Sequence, residues 1–176
     1  MKSYLFKTSL VLAVLVASSL VLIMHSPFPT MLSVFFIGLG LTFATGPEPK
    51  KTPNFIASLL AGIVWVLLYF QLDGFLHTLG MHPDLAFWLG IFILVILSAP
   101  LHLIVLQKTW FNQLPLVYGA VTCVFMEGPE QVLGIIFALC LGVVVAVAAG
   151  PIAERLPKTA GEKAEASVAR TAPDTE

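Results

Sequence analysis

Hydrophobic residues along this chain fall into six runs separated by polar breaks, in the order long, short, long, long, short, long. Thr8 to Met24, Asn54 to Leu72, Leu85 to Leu106 and Gln131 to Ala149 are long. Met31 to Thr45 and Leu114 to Met126 are short, at 15 and 13 residues. An α-helix rises about 1.5 Å per residue and a bilayer core needs about 20 residues of it. The long runs therefore predict membrane-spanning helices, and each short run predicts a helix that barely crosses.

The breaks carry turn chemistry. His25-Ser26-Pro27-Phe28-Pro29 ends the first helix, because each proline lacks a donor and restricts the residue before it. Thr45-Gly46-Pro47-Glu48 closes the first short run, and Glu127-Gly128-Pro129-Glu130 closes the second, with the two glycines 82 positions apart. Gly38 and Gly40 lie in the first short run; Gly119, Ala120 and Thr122 lie in the second. A long–short–long unit that recurs in order predicts an internal duplication. Gln71 to Asp84 reads as the longest polar connection, Pro100 predicts a kink that frees the carbonyl of Ile96, and Gly150-Pro151 predicts the end of the last helix.

Charge fixes the orientation. Of the nine Lys and Arg residues, Lys2 and Lys7 precede the first run and Lys50 and Lys51 follow the second; Lys108 follows the fourth, and Arg155, Lys158, Lys163 and Arg170 follow the sixth. If all six runs cross, every basic residue falls on one side, which the positive-inside bias makes cytoplasmic. A three-span unit repeated in tandem arrives upside down the second time. The predicted fold is thus an all-α membrane protein of six transmembrane helices in two inverted three-helix repeats, the second helix of each repeat short. The membrane domain covers 1–155, with repeat one over 4–72 and repeat two over 85–150. Residues 156–176 turn to Ala, Glu, Lys, Thr and Pro, which predicts a disordered cytoplasmic tail.

Composition agrees. The chain is 58% hydrophobic and only 11% charged, with a mean hydropathy of +0.95, whereas soluble domains carry about 25% charged residues. A net charge of −1 without a basic cluster excludes nucleic acid as a partner. Cys123 and Cys140 lie inside apolar runs and read as packing residues. The sequence has no nucleophile–base arrangement, no HExxH and no phosphate loop, and Gly38-Leu39-Gly40 lacks the strand context of a dinucleotide loop. It predicts neither an enzyme nor a cofactor.

Inverted repeats with short, glycine-interrupted segments in matching positions point to a transport pathway at the repeat interface. The candidate pathway residues are Gly38, Gly40, Gly119, Thr122, His102 and Glu127. His102, two residues after Pro100, is the most interior ionisable side chain, a functional candidate by position or else a donor to the carbonyl that the proline frees. Glu48 and Glu130 read as helix-start carboxylates. Asp73, His77, His82 and Asp84 could suggest a metal, but the histidine spacing across Gly80 suits no single helical face.

Phe35-Phe36-Ile37-Gly38 with Phe43-Ala44, then Gly62-Ile63-Val64-Trp65, then Pro115 with Tyr118-Gly119-Ala120 and Phe125, resemble small bacterial inner-membrane proteins of the domain-of-unknown-function 1097 family, over roughly Met31 to Gly150. The chain departs from that pattern in placing Met126-Glu127 before Gly128. The resemblance implies a bacterial inner membrane and a multi-span fold, and brings no activity with it. A fainter similarity to the six-span membrane half of fusaric-acid-resistance-type exporters points toward transport. The expected function is a transporter or channel subunit for a small neutral or weakly polar solute, since no span holds a deep Asp, Glu, Lys or Arg. Six short spans enclose little interior, so a homo-oligomer in the bilayer is expected. The rival expectation is a non-transporting accessory protein that docks another integral membrane protein through its Gly38 and Gly119 faces.

Overall fold

The computed structural model describes residues 2–157. Six α-helices cover most of them: α1 (Lys2–Met24), α2 (Leu32–Thr45), α3 (Thr52–Thr78), α4 (Pro83–Pro100), α5 (Leu114–Glu127) and α6 (Val132–Arg155). No strand occurs among the described residues. Four segments are long and apolar enough to cross a membrane, at Tyr4–Met24, Pro49–Thr78, Pro83–Val105 and Pro129–Arg155, while α2 and α5 are shorter apolar helices of 14 residues each. Fourteen residues rise about 21 Å, less than a hydrocarbon core of about 30 Å. The tail expected to be disordered lies outside the described residues from position 158 onward.

Two helix ends run past the sequence pattern. The polar stretch from Gln71 is helical as far as Thr78, because Leu76 is buried and Asp73 and His77 pair one turn apart at 3.5 Å. The helix stops at Gly80, whose φ of +76° only glycine adopts without strain. There Gly80 N–H donates to the His77 carbonyl and Met81 N–H to that of Leu76, at 3.0 and 3.3 Å. The connection between α3 and α4 is therefore far shorter than Gln71 to Asp84. Nor does Gly150-Pro151 end α6, which runs to Arg155. Contact with α1 holds that last turn: Ala149 and Ala153 are buried, and Lys7 Nζ donates to the Pro157 carbonyl at 2.9 Å. The kink expected at Pro100 takes the form of a π turn over Leu101–Val105, closed by Leu106 N–H on the Leu101 carbonyl at 2.8 Å.

Helix pairing crosses the halves of the chain. The short helix α2 packs most extensively on α6, and the short helix α5 on α3; α1 lies on α6, and α4 on α3. Gly134 faces Met31 while Gly142 faces Leu39, so α2 and α6 run parallel. Ser58 meets Gln113 while Gly62 meets Val117, so α3 and α5 also run parallel. Along α2 and α5, Ser33 meets Glu127 and Leu41 meets Gly119, which makes that pair antiparallel. The first helix begins beside the end of α6, at Lys7, and the chain after it returns to the start of α6, where Phe28 lies on Gly134.

Burial follows the same correspondence. The buried residues of α2 are Val34, Phe35, Gly38, Leu39 and Thr42. Each has a buried counterpart 82 positions later on α5, at Leu116, Val117, Ala120, Val121 and Val124. On α3, Phe55, Ser58, Leu59, Gly62, Ile63, Val66 and Tyr69 are buried; 80 positions later on α6 so are Ile135, Ala138, Leu139, Gly142, Val143, Ala146 and Ala149. The step changes from 82 to 80 because two more residues separate Gly46 from α3 than separate Gly128 from α6.

Candidate functional site

The closest backbone-to-backbone approaches between helices are made by glycines that the loop motifs do not mark. A Cβ on Gly142 would lie 2.5 Å from the Phe35 carbonyl oxygen, and one on Gly62 would collide with the Val117 carbonyl oxygen. These two contacts are counterparts, for Phe35 and Val117 are 82 positions apart and Gly62 and Gly142 are 80 apart. Gly38 completes the first contact from the other side, with a Cβ placed 2.7 Å from the Leu139 carbonyl oxygen. Bare backbone against backbone lets helices approach closely where lipid supplies no hydrophobic drive to pack them.

The seam between α2 and α5 is built differently. Gly119 lies beneath the Leu41 side chain, with Ile37 beside it. A leucine terminus can rotate away, whereas a carbonyl on a neighbouring helix cannot. Gly40 and Thr122, counterparts 82 positions apart, are both exposed on the outer sides of the short helices. A Cβ on Gly40 would meet no atom within 4 Å, and the Thr122 hydroxyl donates back to the Tyr118 carbonyl at 2.9 Å. At the end of the seam, the Ser33 hydroxyl donates to Glu127 Oε1 at 3.5 Å. Gly119 and Glu127 thus belong to the seam, Gly38 packs behind it on α6, and Gly40 and Thr122 face outward.

His102 stands apart from these five. It is 2% exposed, inside the π turn that follows Pro100. The Trp65 indole N–H donates to its Nε2 at 3.0 Å. An indole nitrogen only donates, so Nε2 accepts and the ring proton lies on Nδ1, which donates to the Phe111 carbonyl. Both ring nitrogens are committed to fixing the α4–α5 connection onto α3. Ser58 adds a second tie, donating to the Trp110 carbonyl at 3.3 Å and accepting from Gln113 N–H at 3.1 Å. Asn54 reaches Asn112 at 3.4 Å, and Ser98 pairs with the Tyr118 hydroxyl at 3.1 Å.

Three clefts flank α3 and α4, and all are apolar. One of about 340 Å³ is lined by Ala61, Val64, Trp65, Leu68, Leu101, His102, Leu106 and Phe111. A smaller one of about 150 Å³ lies between Tyr69 and Gly90. The third, of about 600 Å³, follows the outer face of α4 along Trp88, Phe92 and Val95. None of these three lies between the short helices. Among the described residues no group of three His, Cys, Asp or Glu side chains could hold a metal, and Cys123 and Cys140 are free thiols.

The sequence placed none of Gly62, Gly142, Trp65 and Ser58 in the candidate pathway, although a signal for the two glycines existed. Once the step is allowed to fall from 82 to 80 after the first turn, Gly62 aligns with Gly142. The outer helices also align: α1 buries Lys7, Val11, Ser19 and Ile23, and the α4 segment buries Ala86, Gly90, Ser98 and His102, each 79 positions on. In this pattern of burial His102 aligns with Ile23.

Among known families, the one described as Protein of unknown function (DUF1097) matches residues 9–154. Neither a curated protein nor a solved structure matches the chain.

Proposed function

We propose, for a chain that belongs to the DUF1097 family, a six-span membrane protein of two inverted three-helix repeats that passes a small neutral or weakly polar solute along the seam between its short helices. The matched burial and the exchange of partners between halves support the duplication. Each helix runs opposite to the one before it wherever contacts fix a direction, which is the alternation that six crossings require. With that topology, the basic residues gather at one end, giving cytoplasmic termini in a bacterial inner membrane.

The observation that carries the transport reading is the contrast at the glycines. Around the seam, α2 is locked to α6 and α5 to α3 through backbone carbonyls; across it, α2 and α5 are separated by the movable Leu41 side chain on Gly119. Short helices of two inverted halves, meeting antiparallel at the centre, are where solute sites form in duplicated carriers. The middles of the described spans hold no Asp, Glu, Lys or Arg, so a charged solute would find no compensation there. The docking role, through the Gly38 and Gly119 faces, is not proposed: Gly38 is buried on α6 and Gly119 lies under Leu41, so both are occupied within the chain.

Reconstitution tests the proposal. Proteoliposomes should shrink and reswell faster than empty vesicles when challenged with urea, glycerol or a protonated weak acid. Leu41→Trp, which plugs the seam, should return permeability to the background. No excess flux for any solute of such a panel would overturn the reading.

A further inference from the structure

We infer that the chain is mechanically two bodies, α1-α2-α6 and α3-α4-α5, and that the twin Gly-Pro-Glu turns are the hinges on which one moves against the other. The inference rests on the transport reading for its purpose but not for its geometry.

Each body takes helices from both halves of the chain. Within the first, Gly38 and Gly142 lock α2 to α6, Phe28 lies on Phe137 with ring centroids 6.1 Å apart, and Lys7 is tied to Pro157 at 2.9 Å. In the second, Tyr69 touches Phe125 of α5 at 5.0 Å and Phe87 of α4 at 6.2 Å between centroids. The Trp65–His102 and Ser98–Tyr118 bonds lie in the same body. Across the boundary the pairings, α2 with α5, α3 with α6 and α5 with α6, are each much less extensive than α2 with α6 or α3 with α5. Of the side-chain hydrogen bonds named above, Ser33 to Glu127 alone crosses it.

The covalent path makes the assignment. Three connections stay within a body: 25–31 in the first, and 79–82 and 106–113 in the second. The two that pass between bodies are α2 to α3 and α5 to α6, and these are the Gly46-Pro47-Glu48 and Gly128-Pro129-Glu130 turns. Both glycines have positive φ, +84° and +93°. The 106–113 connection, inside a body, is bolted down by Ser58, Asn54 and His102. Gly46 has no atom within 4 Å of a Cβ position, a freedom it shares with Gly80 inside the second body, and the atoms nearest such a position at Gly128 all belong to the Glu130 side chain. The repeated phrase recurs because each half must supply one crossing. Rigid-body rocking of bundles about a fixed site is how inverted-repeat carriers alternate access, and hinges absorb the backbone change at a few element-terminal residues.

Spin-label distances on the full chain, in phosphatidylethanolamine/phosphatidylglycerol nanodiscs with Cys123→Ala and Cys140→Ala as background, test it. Labels at His25 with Asp84, and at Lys108 with Glu154, report across bodies; His25 with Leu133, and Gln71 with Asp84, report within one. The expected result is two distance populations for the across-body pairs and one for the others. Ser33→Ala should shift the ratio of the two by about twofold, the effect expected of an exposed bond at the long end of the range. A single across-body distance, or equal broadening of all four pairs, overturns the inference. Hydrogen exchange on the unsubstituted chain gives a second reading: amides at Gly46 and Gly128 should exchange faster than those of 106–113, and equal rates count against hinges. Two across-body populations in a protein that passes no solute would refute the transport reading and leave the hinges standing.

Discussion

Trp65 donates its indole N–H to Nε2 of His102 across 3.0 Å, at the place where the first half of the chain carries Ile23. The two halves of the chain differ at this position. The first half fills this position with an apolar side chain. The second half fills it with a bridge that ties the π turn, the α4–α5 connection and α3 together.

Removing that bridge leaves an indole N–H and the Phe111 carbonyl without partners. His102→Ala should cost about 1–3 kcal/mol, the penalty for stranded buried polar groups. Trp65→Phe should be milder. A double-mutant cycle between them should return about 0.6–1.7 kcal/mol, the range for bonds between membrane helices. Reversible unfolding in mixed micelles measures all three, and a coupling of zero would make the contact incidental.

Glycine substitutions should separate sharply by position. Gly62→Ala and Gly142→Ala each push a Cβ into a backbone carbonyl that cannot step aside. Both should destabilise by about 1–3 kcal/mol or more, as overpacked cores do. Gly40→Ala meets open space on a helix surface and should be neutral, or stabilising by up to about 1 kcal/mol. Thermal unfolding in detergent ranks the three, and similar losses for Gly40 and Gly62 would contradict the packing described.

The hinge glycines make a further case. Gly46 has ψ of 98° and Gly128 has ψ of 152°, so both stand in a region that glycine alone occupies. Alanine should cost about 1–3 kcal/mol at either position. Asparagine should do no better, because its tolerance is for the left-handed helical region. At Gly128 a Cβ also meets the Glu130 carboxylate, whose flexible stem can move off. Denaturation midpoints for the four variants settle the order.

Topology has its own test. Single cysteines at Glu48 and Glu130, in the background lacking Cys123 and Cys140, should react with a membrane-impermeant maleimide from opposite faces of the bilayer. Labelling of both from one face would remove the inverted arrangement and the transport reading with it.

The sequence alone determined a great deal along the chain and little across it. Run lengths and prolines located six helices, the two Gly-Pro-Glu phrases marked both turns, and the lack of interior charge made the body a membrane one. Where local signals conflicted, tertiary contact decided: Leu76 and the Asp73–His77 pair carried α3 past Gln71, and α1 carried α6 past Pro151. Only the folded structure could show that α2 belongs with α6 and α5 with α3. Spans this apolar are hydrophobic on every side, so no stripe marks the face to be buried. In lipid the hydrophobic effect does not choose a partner; side-chain size and backbone approach do. Gly62 against Val117, and Gly142 against Phe35, are fits between surfaces far apart in sequence, and a fit exists only once both surfaces have been formed.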